Sequence, residues 1–235
     1  TNPKATPWGL AIEVTCQGNS TGNTNGIILG TVGYVANSIN IYSGTSGISV
    51  RGQSAYGRGT YITPGSNIVA GGAILLEGSA SGSTSGWLHG LAIADTGGVT
   101  GSATIWSSKA SGTAITLIGN STNSATTQPS SGIMLNPNGG ASYIAMIKAT
   151  GGGDISITGS STTAGTAGVY VASSDILAAN GNISIDGGSI GASLGTNVAV
   201  GYKTGGAITA DTGAVTITGN SYTGSASAYI KTSGV

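Results

Sequence analysis

Aliphatic and polar residues alternate through a short stretch, Ile155-Ser-Ile-Thr-Gly-Ser-Ser161, and the stretch recurs along the chain. Val14-Thr-Cys-Gln-Gly-Asn-Ser20, Ile48-Ser-Val-Arg-Gly-Gln-Ser54, Ile74-Leu-Leu-Glu-Gly-Ser-Ala80 and Ile115-Thr-Leu-Ile-Gly-Asn-Ser121 come before it. Ile183-Ser-Ile-Asp-Gly-Gly-Ser189 and Val215-Thr-Ile-Thr-Gly-Asn-Ser221 come after. Position one is Ile or Val, position three is aliphatic or Cys16, position five is always glycine, and position seven is serine except at Ala80. Side chains on a strand point to alternate faces, so the odd positions share one apolar face that tapers to small residues. The pattern predicts seven half-buried strands.

Two weaker apolar runs separate successive copies. The first begins in most units with Gly or Ala: Gly26-Ile-Ile-Leu29, Gly59-Thr-Tyr-Ile62, Gly86-Trp-Leu88, Gly132-Ile-Met-Leu135, Gly168-Val-Tyr-Val171, Asn197-Val-Ala-Val200 and Ala228-Tyr-Ile230. The second comprises Ile39-Asn-Ile41, Ile68-Val69, Ala103-Thr-Ile105, Ile144-Ala-Met146, Ile176-Leu177 and Ile208-Thr209. Each unit therefore reads as three strands joined by Gly, Ser and Asn turns. Such a unit cannot close its own core, whereas stacked units bury one continuous core at about 4.8 Å per step. The copies are 34, 26, 41, 40, 28 and 32 residues apart, within the range of repeat architectures, and the drift points to loops of variable length. The expectation is a single elongated domain over residues 1–235.

Composition sharpens this picture. Glycine supplies 44 of 235 residues, phenylalanine is absent, and charged residues are 6%. Such values alone would fit a disordered chain, but disordered tracts lack a regular aliphatic face. The formal net charge is zero and the basic residues are scattered, which argues against a nucleic-acid partner. No apolar run reaches eighteen residues, so no membrane-spanning helix is expected. The chain starts without a methionine or a signal peptide, inside the repeat pattern, and is expected to be a piece of a longer repeat protein. Pro3 and Pro7 keep the start extended, and Trp8 is expected to cover the stack end or a preceding unit. Cys16, the single cysteine, reads as a small buried hydrophobe and leaves the compartment open.

Few residues carry candidate chemistry. Position four holds Arg51 and Glu77 in consecutive copies, which predicts a surface ion pair. Arg51, Arg58, Tyr56 and Tyr61 offer a cluster suited to sugar or phosphate, set against plain loop decoration. His89, the only histidine, has no Cys, Asp or Glu at ligand spacing. Thr150-Gly-Gly-Gly-Asp154 hints at a calcium-binding nonapeptide but misses its spacing. Asn-x-Ser/Thr sequons at Asn19, Asn120 and Asn182 raise glycosylation as a question. Asn19, Asn120 and Asn220 share a position but not consecutive copies, so no amide ladder is expected. No catalytic, cofactor-binding or metal-binding residue is assigned, and no cofactor is expected.

The runs Gly206-Ala-Ile-Thr-Ala-Asp-Thr-Gly-Ala-Val-Thr-Ile-Thr-Gly-Asn-Ser221 and Ala179-Asn-Gly-Asn-Ile-Ser-Ile-Asp-Gly-Gly-Ser189 resemble the repeats of filamentous haemagglutinin-like exoproteins exported by two-partner secretion. Asn136-Pro-Asn-Gly139, itself a strong turn signal, is similar to a motif in that family's secretion domain. Its companion motif is missing, which favours the repeat shaft. The resemblance implies an all-β, right-handed parallel β-helix (β-solenoid), here of about seven three-stranded coils. It also implies a secreted, cell-surface role in adhesion or filament building. The partners would be a host-cell, neighbouring-cell or matrix surface, including its glycans, or further copies in a fibre, with no membrane insertion. Two other functions make different demands on the residues. A polysaccharide-active enzyme needs clustered carboxylates, for which Asp154 and Asp186 are the nearest pair. An ice- or polysaccharide-binding solenoid needs a flat Thr/Ser face, which Arg51, Leu75, Glu77 and Ile118 interrupt.

Overall fold

A computed structural model of the chain describes residues 10–18, 25–30, 39–82, 88–94, 101–122, 130–135, 143–162, 167–172, 174–189, 200–203, 207–219 and 230–232. Strands and turns are the only elements among them; no helix occurs among the described residues. The strands form three sheets, and every pairing is parallel. The first sheet stacks Leu10–Gly18, Gly47–Ser54, Ile74–Ala80, Thr113–Ser121, Asp154–Ser161, Ile183–Ser189 and Val215–Gly219 in chain order. The second stacks Ile27–Leu29, Thr60–Ile62, Leu91–Ile93, Ile133–Leu135, Val169–Ala172 and Val200–Lys203. The third stacks Asn40–Ser43, Asn67–Ala70, Gly101–Ser107, Tyr143–Ala149, Asp175–Ala178, Ile208–Ala210 and Ile230–Thr232. Each strand pairs with its counterpart one rung away, which is the arrangement of a parallel β-solenoid.

From the second repeat on, the repeat register is the stacking register. Ile48, Ile74, Ile115, Ile155, Ile183 and Val215 form one column, and Val50, Leu76, Leu117, Ile157, Ile185 and Ile217 form the next. From Ile48 to Ile185 these side chains are all buried. The third sheet adds a column of Ile41, Ile68, Ile105, Ile147, Ile176 and Ile208. The second sheet closes the same core with Leu29, Ile62, Ile93, Leu135 and Val171. Identical branched side chains stack well at strand spacing, and each column removes its apolar surface from water along the whole axis.

Glycine at position five has a steric cause. Gly52, Gly78, Gly119, Gly159, Gly187 and Gly219 form one column. Here the chain folds from the first sheet towards the second, and a Cβ on Gly52, Gly78, Gly119 or Gly159 would collide with the carbonyl of Gly59, Gly90, Gly132 or Gly168 respectively. Each of those carbonyls accepts the N–H of a residue one rung back, Ile27, Thr60, Leu91 or Ile133. The two sheets therefore meet along a seam of paired glycine backbones. The serines at position seven fasten this corner: Ser54 Oγ accepts from Gly57 N at 2.8 Å, Ser121 Oγ donates to the Leu88 carbonyl at 2.7 Å, and Ser161 Oγ donates to the Ser130 carbonyl at 2.8 Å.

Five sequence expectations shift. The first strand pairs Ile12 with Ile48 and Val14 with Val50, two residues from the register set by Val14, Cys16 and Gly18. A two-residue slip keeps the same face inward, so the alternation cannot detect it. In the third rung the second-sheet strand is Leu91–Ile93, not residues 86–88, because Gly90 is the residue that meets Gly78 across the seam. The next-to-last strand of that class runs Val200–Lys203, where 197–200 was expected. Ile230–Thr232 joins the third sheet beside Ile208–Ala210, where the sequence suggested the second. In Tyr143–Ala149 the buried residues are Ala145, Ile147 and Ala149, so Ile144 and Met146 face out. Trp8, Asn19, residues 136–139 and Asn220 lie outside the described residues, as does the side chain of Cys16.

Candidate functional site

With the core closed, chemistry is left to the outward faces and the corners. On the first sheet, Arg51 Nε and Glu77 Oε2 approach to 3.1 Å in adjacent rungs, as the position-four pattern predicts. Both side chains are more than two-fifths exposed, so the pair contributes little stability. Beside it lies a groove of about 740 Å³. Leu75, Ile118 and Thr116 line it together with Arg51, and Lys109 lies at its edge, its Nζ donating to the Thr113 carbonyl at 3.0 Å. Ser49, expected on the solvated face, is instead buried beside its taller neighbour Leu75, and its Oγ has no hydrogen-bond partner among the described residues. Further along, position two carries Ser156, Ser184 and Thr216, and position four carries Thr158, Asp186 and Thr218. In this C-terminal half the position-two row is all hydroxyl, while Asp186 interrupts the position-four row.

Asp154 and Asp186, the carboxylate pair nearest to what polysaccharide chemistry would need, are not brought together. Asp154 precedes its first-sheet anchor, and its Oδ1 accepts from Asn182 N at 2.7 Å and Asn182 Nδ2 at 3.1 Å. Asn182 Oδ1 in turn accepts from Ala214 N at 2.9 Å. This is a capping chain that ties three successive corners. Asp186 pairs with Thr158, four positions along the strand from Asp154 and one rung on, so the two acids are about 14 Å apart. Asp175 Oδ1 caps Ala207 N at 3.1 Å. The Gly151–Asp154 turn thus serves the stack, and no cluster of three metal-ligating side chains occurs among the described residues. Of the sequon asparagines, Asn182 uses its amide on both sides, and Asn120 accepts from Ser160 Oγ at 2.9 Å.

His89 is fully buried at the corner between the first and second sheets. Its Nδ1 accepts from the backbone N–H of Ser131 at 3.0 Å, joining two rungs. Tyr61 lies in the second sheet and not in a solvated loop, whereas Arg58 and Tyr56 sit partly buried in the turn before it. Tyr61 is fully buried on the outer side of the second sheet, with the Arg58 guanidinium 4.5 Å from its ring centre. Its row continues through Ala92, Met134 and Tyr170, which form a second small apolar cluster outside the main core. Burial raises the Tyr170 phenol above its ordinary value.

The third sheet carries a feature that the sequence reading passed over. Its core isoleucines are each followed by an outward residue, and these stack as Tyr42, Val69, Trp106, Lys148, Leu177 and Thr209. Tyr42 is 64% exposed and Trp106 41%. Trp106 Nε1 donates to Thr150 Oγ1 at 2.7 Å, which anchors the indole to the next rung. A second outward row holds Asn40, Asn67, Thr104, Met146 and Asp175. Asn67 Nδ2 donates to Asn40 Oδ1 at 2.8 Å within it. The signal was present in Ile41-Tyr42 and Ile105-Trp106, but the expected strands stopped at the isoleucines.

No family model matches this chain, and neither the curated proteins nor the solved structures give a match.

Proposed function

We propose that the chain is a non-catalytic shaft segment of a secreted bacterial surface filament or adhesin, built like the repeats of filamentous haemagglutinin-like exoproteins. The observation that supports this reading most is the register. From the second repeat on, the same residue classes of the first sheet stack rung upon rung among the described residues, with hydroxyls, carboxylates and the lone histidine used to fasten corners. A long stack held by main-chain bonds along its axis resists extension and offers flat faces for attachment. The coil is taken to be right-handed, because parallel crossover connections within one sheet are overwhelmingly of that hand, and to have about seven three-stranded turns.

The test is immunogold microscopy of the source cells with antiserum to this chain, combined with deletion of its coding segment. Labelled surface fibres and weaker attachment after deletion are expected. Label confined to the cell interior, with attachment unchanged, would overturn the reading.

A further inference from the structure

We propose that the outward face of the third sheet is a binding site for a single extended chain of a neutral β-1,4-linked glycan, gripped between Tyr42 and Trp106. The proposal rests on the adhesive reading and gives it a ligand class.

Tyr42 and Trp106 occupy the same outward row two rungs apart, with Val69 between them. Parallel stacking places them about 10 Å apart along the axis. That is the length of one disaccharide unit in an extended β-1,4-linked glycan, whose alternate sugars present the same ring face. The C–H face of such a sugar is apolar and packs on an aromatic ring, while its hydroxyls project sideways towards polar partners. The neighbouring row supplies those partners in Asn40, Asn67 and Thr104. The bond from Trp106 Nε1 to Thr150 holds one ring before any ligand arrives, which reduces the ordering cost of binding.

Charge and area select this occupant over others. The rungs that carry Tyr42, Val69 and Trp106 hold no charged residue in either row; Lys148, Asp175 and Lys231 come only in later rungs, and Asp175 is engaged at a corner. The face therefore favours a neutral ligand over an anionic polymer. The two rows make a strip roughly 10 Å wide and 30 Å long, about 300 Å². A stable protein partner needs about 800 Å² on each side. The strip is too narrow for that and matches the width of one sugar chain.

The experiment measures binding of the purified chain to cellohexaose and N-acetylchitohexaose by isothermal titration calorimetry. Maltohexaose and polygalacturonate serve as comparison probes, and the sugars are recovered afterwards and sized. Expected results are binding to at least one β-1,4 hexaose, none to maltohexaose, and recovery of intact sugar. Tyr42→Ala and Trp106→Ala should each weaken binding roughly tenfold, while Arg51→Ala on the first sheet leaves it unchanged. Tyr42 is the more exposed of the two rings, so its removal keeps the fold, and unchanged far-ultraviolet circular dichroism would confirm that. No binding to either β-1,4 hexaose, binding only to polygalacturonate, or affinity unaffected by both aromatic substitutions would overturn the site. Each of those results leaves surface labelling free to support the shaft. Recovery of shortened sugars would instead overturn the non-catalytic reading.

Discussion

Gly159→Ala adds one methyl group at the seam between the first and second sheets, and the structure supplies both its cost and its control. The new Cβ would run into the carbonyl oxygen of Gly168, with the Gly168 carbonyl carbon and Val169 Cγ2 each at 2.7 Å. The nearest obstacles are backbone atoms already committed to ladder bonds with Ile133, so they cannot rotate away. Strain of this kind in a packed interior costs about 1–3 kcal/mol. In a chain of this length each kcal/mol lowers Tm by about 2–4 °C, which gives a fall of roughly 2–12 °C. Gly44→Ala is the matched control: nothing among the described residues lies within 4 Å of its added Cβ, and its φ is outside the left-handed region. There the methyl acts mainly on the unfolded chain and should be neutral or stabilising by about 0.4–1 kcal/mol. Thermal melts of both variants, followed by far-ultraviolet circular dichroism, give the comparison. Equal Tm values would refute the view that close approach, rather than chain composition, dictates this glycine column.

Ile157→Asp should unfold its rung and weaken its neighbours, because a carboxylate would sit without a partner between Leu117 and Ile185. Ser156→Asp, facing outward, should change stability by about 0.5 kcal/mol or less, and equal damage in urea melts would contradict the assigned facing. Tyr170 gives a pH dependence. Its folded-state phenol titrates above the unfolded value near 10, so the stability it confers is complete below that pH and is lost as pH rises past it. Tyr170→Phe should therefore flatten the alkaline decline in stability, and parallel decline in both proteins would count against burial as the cause.

The sequence revealed most where physics leaves one solution. Ile-x-Ile-x-Gly can place its isoleucines inward in only one way, so the columns from Ile48 to Val215 were legible before any coordinates. The Arg51–Glu77 pair followed from them, since stacked copies bring position four into contact. What escaped detection depends on neighbours remote in sequence. The two-residue offset at Ile12 is invisible to a period of two. The choice of Gly90 over Gly86 depends on the seam with Gly78. Asp154 looked like half of a carboxylate pair because its task, capping Asn182 N, is visible only across a corner. The exposed row of Tyr42 and Trp106 was missed because expected strands ended at their last apolar core residue. A strand extends until its pairing ends, and its outward residues signal no boundary.

The offset of the first strand bears on how such a column would yield under load. Sliding a strand by one residue turns its whole interior outward, whereas sliding it by two restores both the ladder and the dry side. Creep could therefore proceed only in paired steps, each losing and regaining the same main-chain bonds. From Gly52 to Gly159 even that step is blocked, since it would push a residue bearing a side chain into a gap that admits only hydrogen. These rungs are latched against shear, so a pulling force would have to peel them away one at a time.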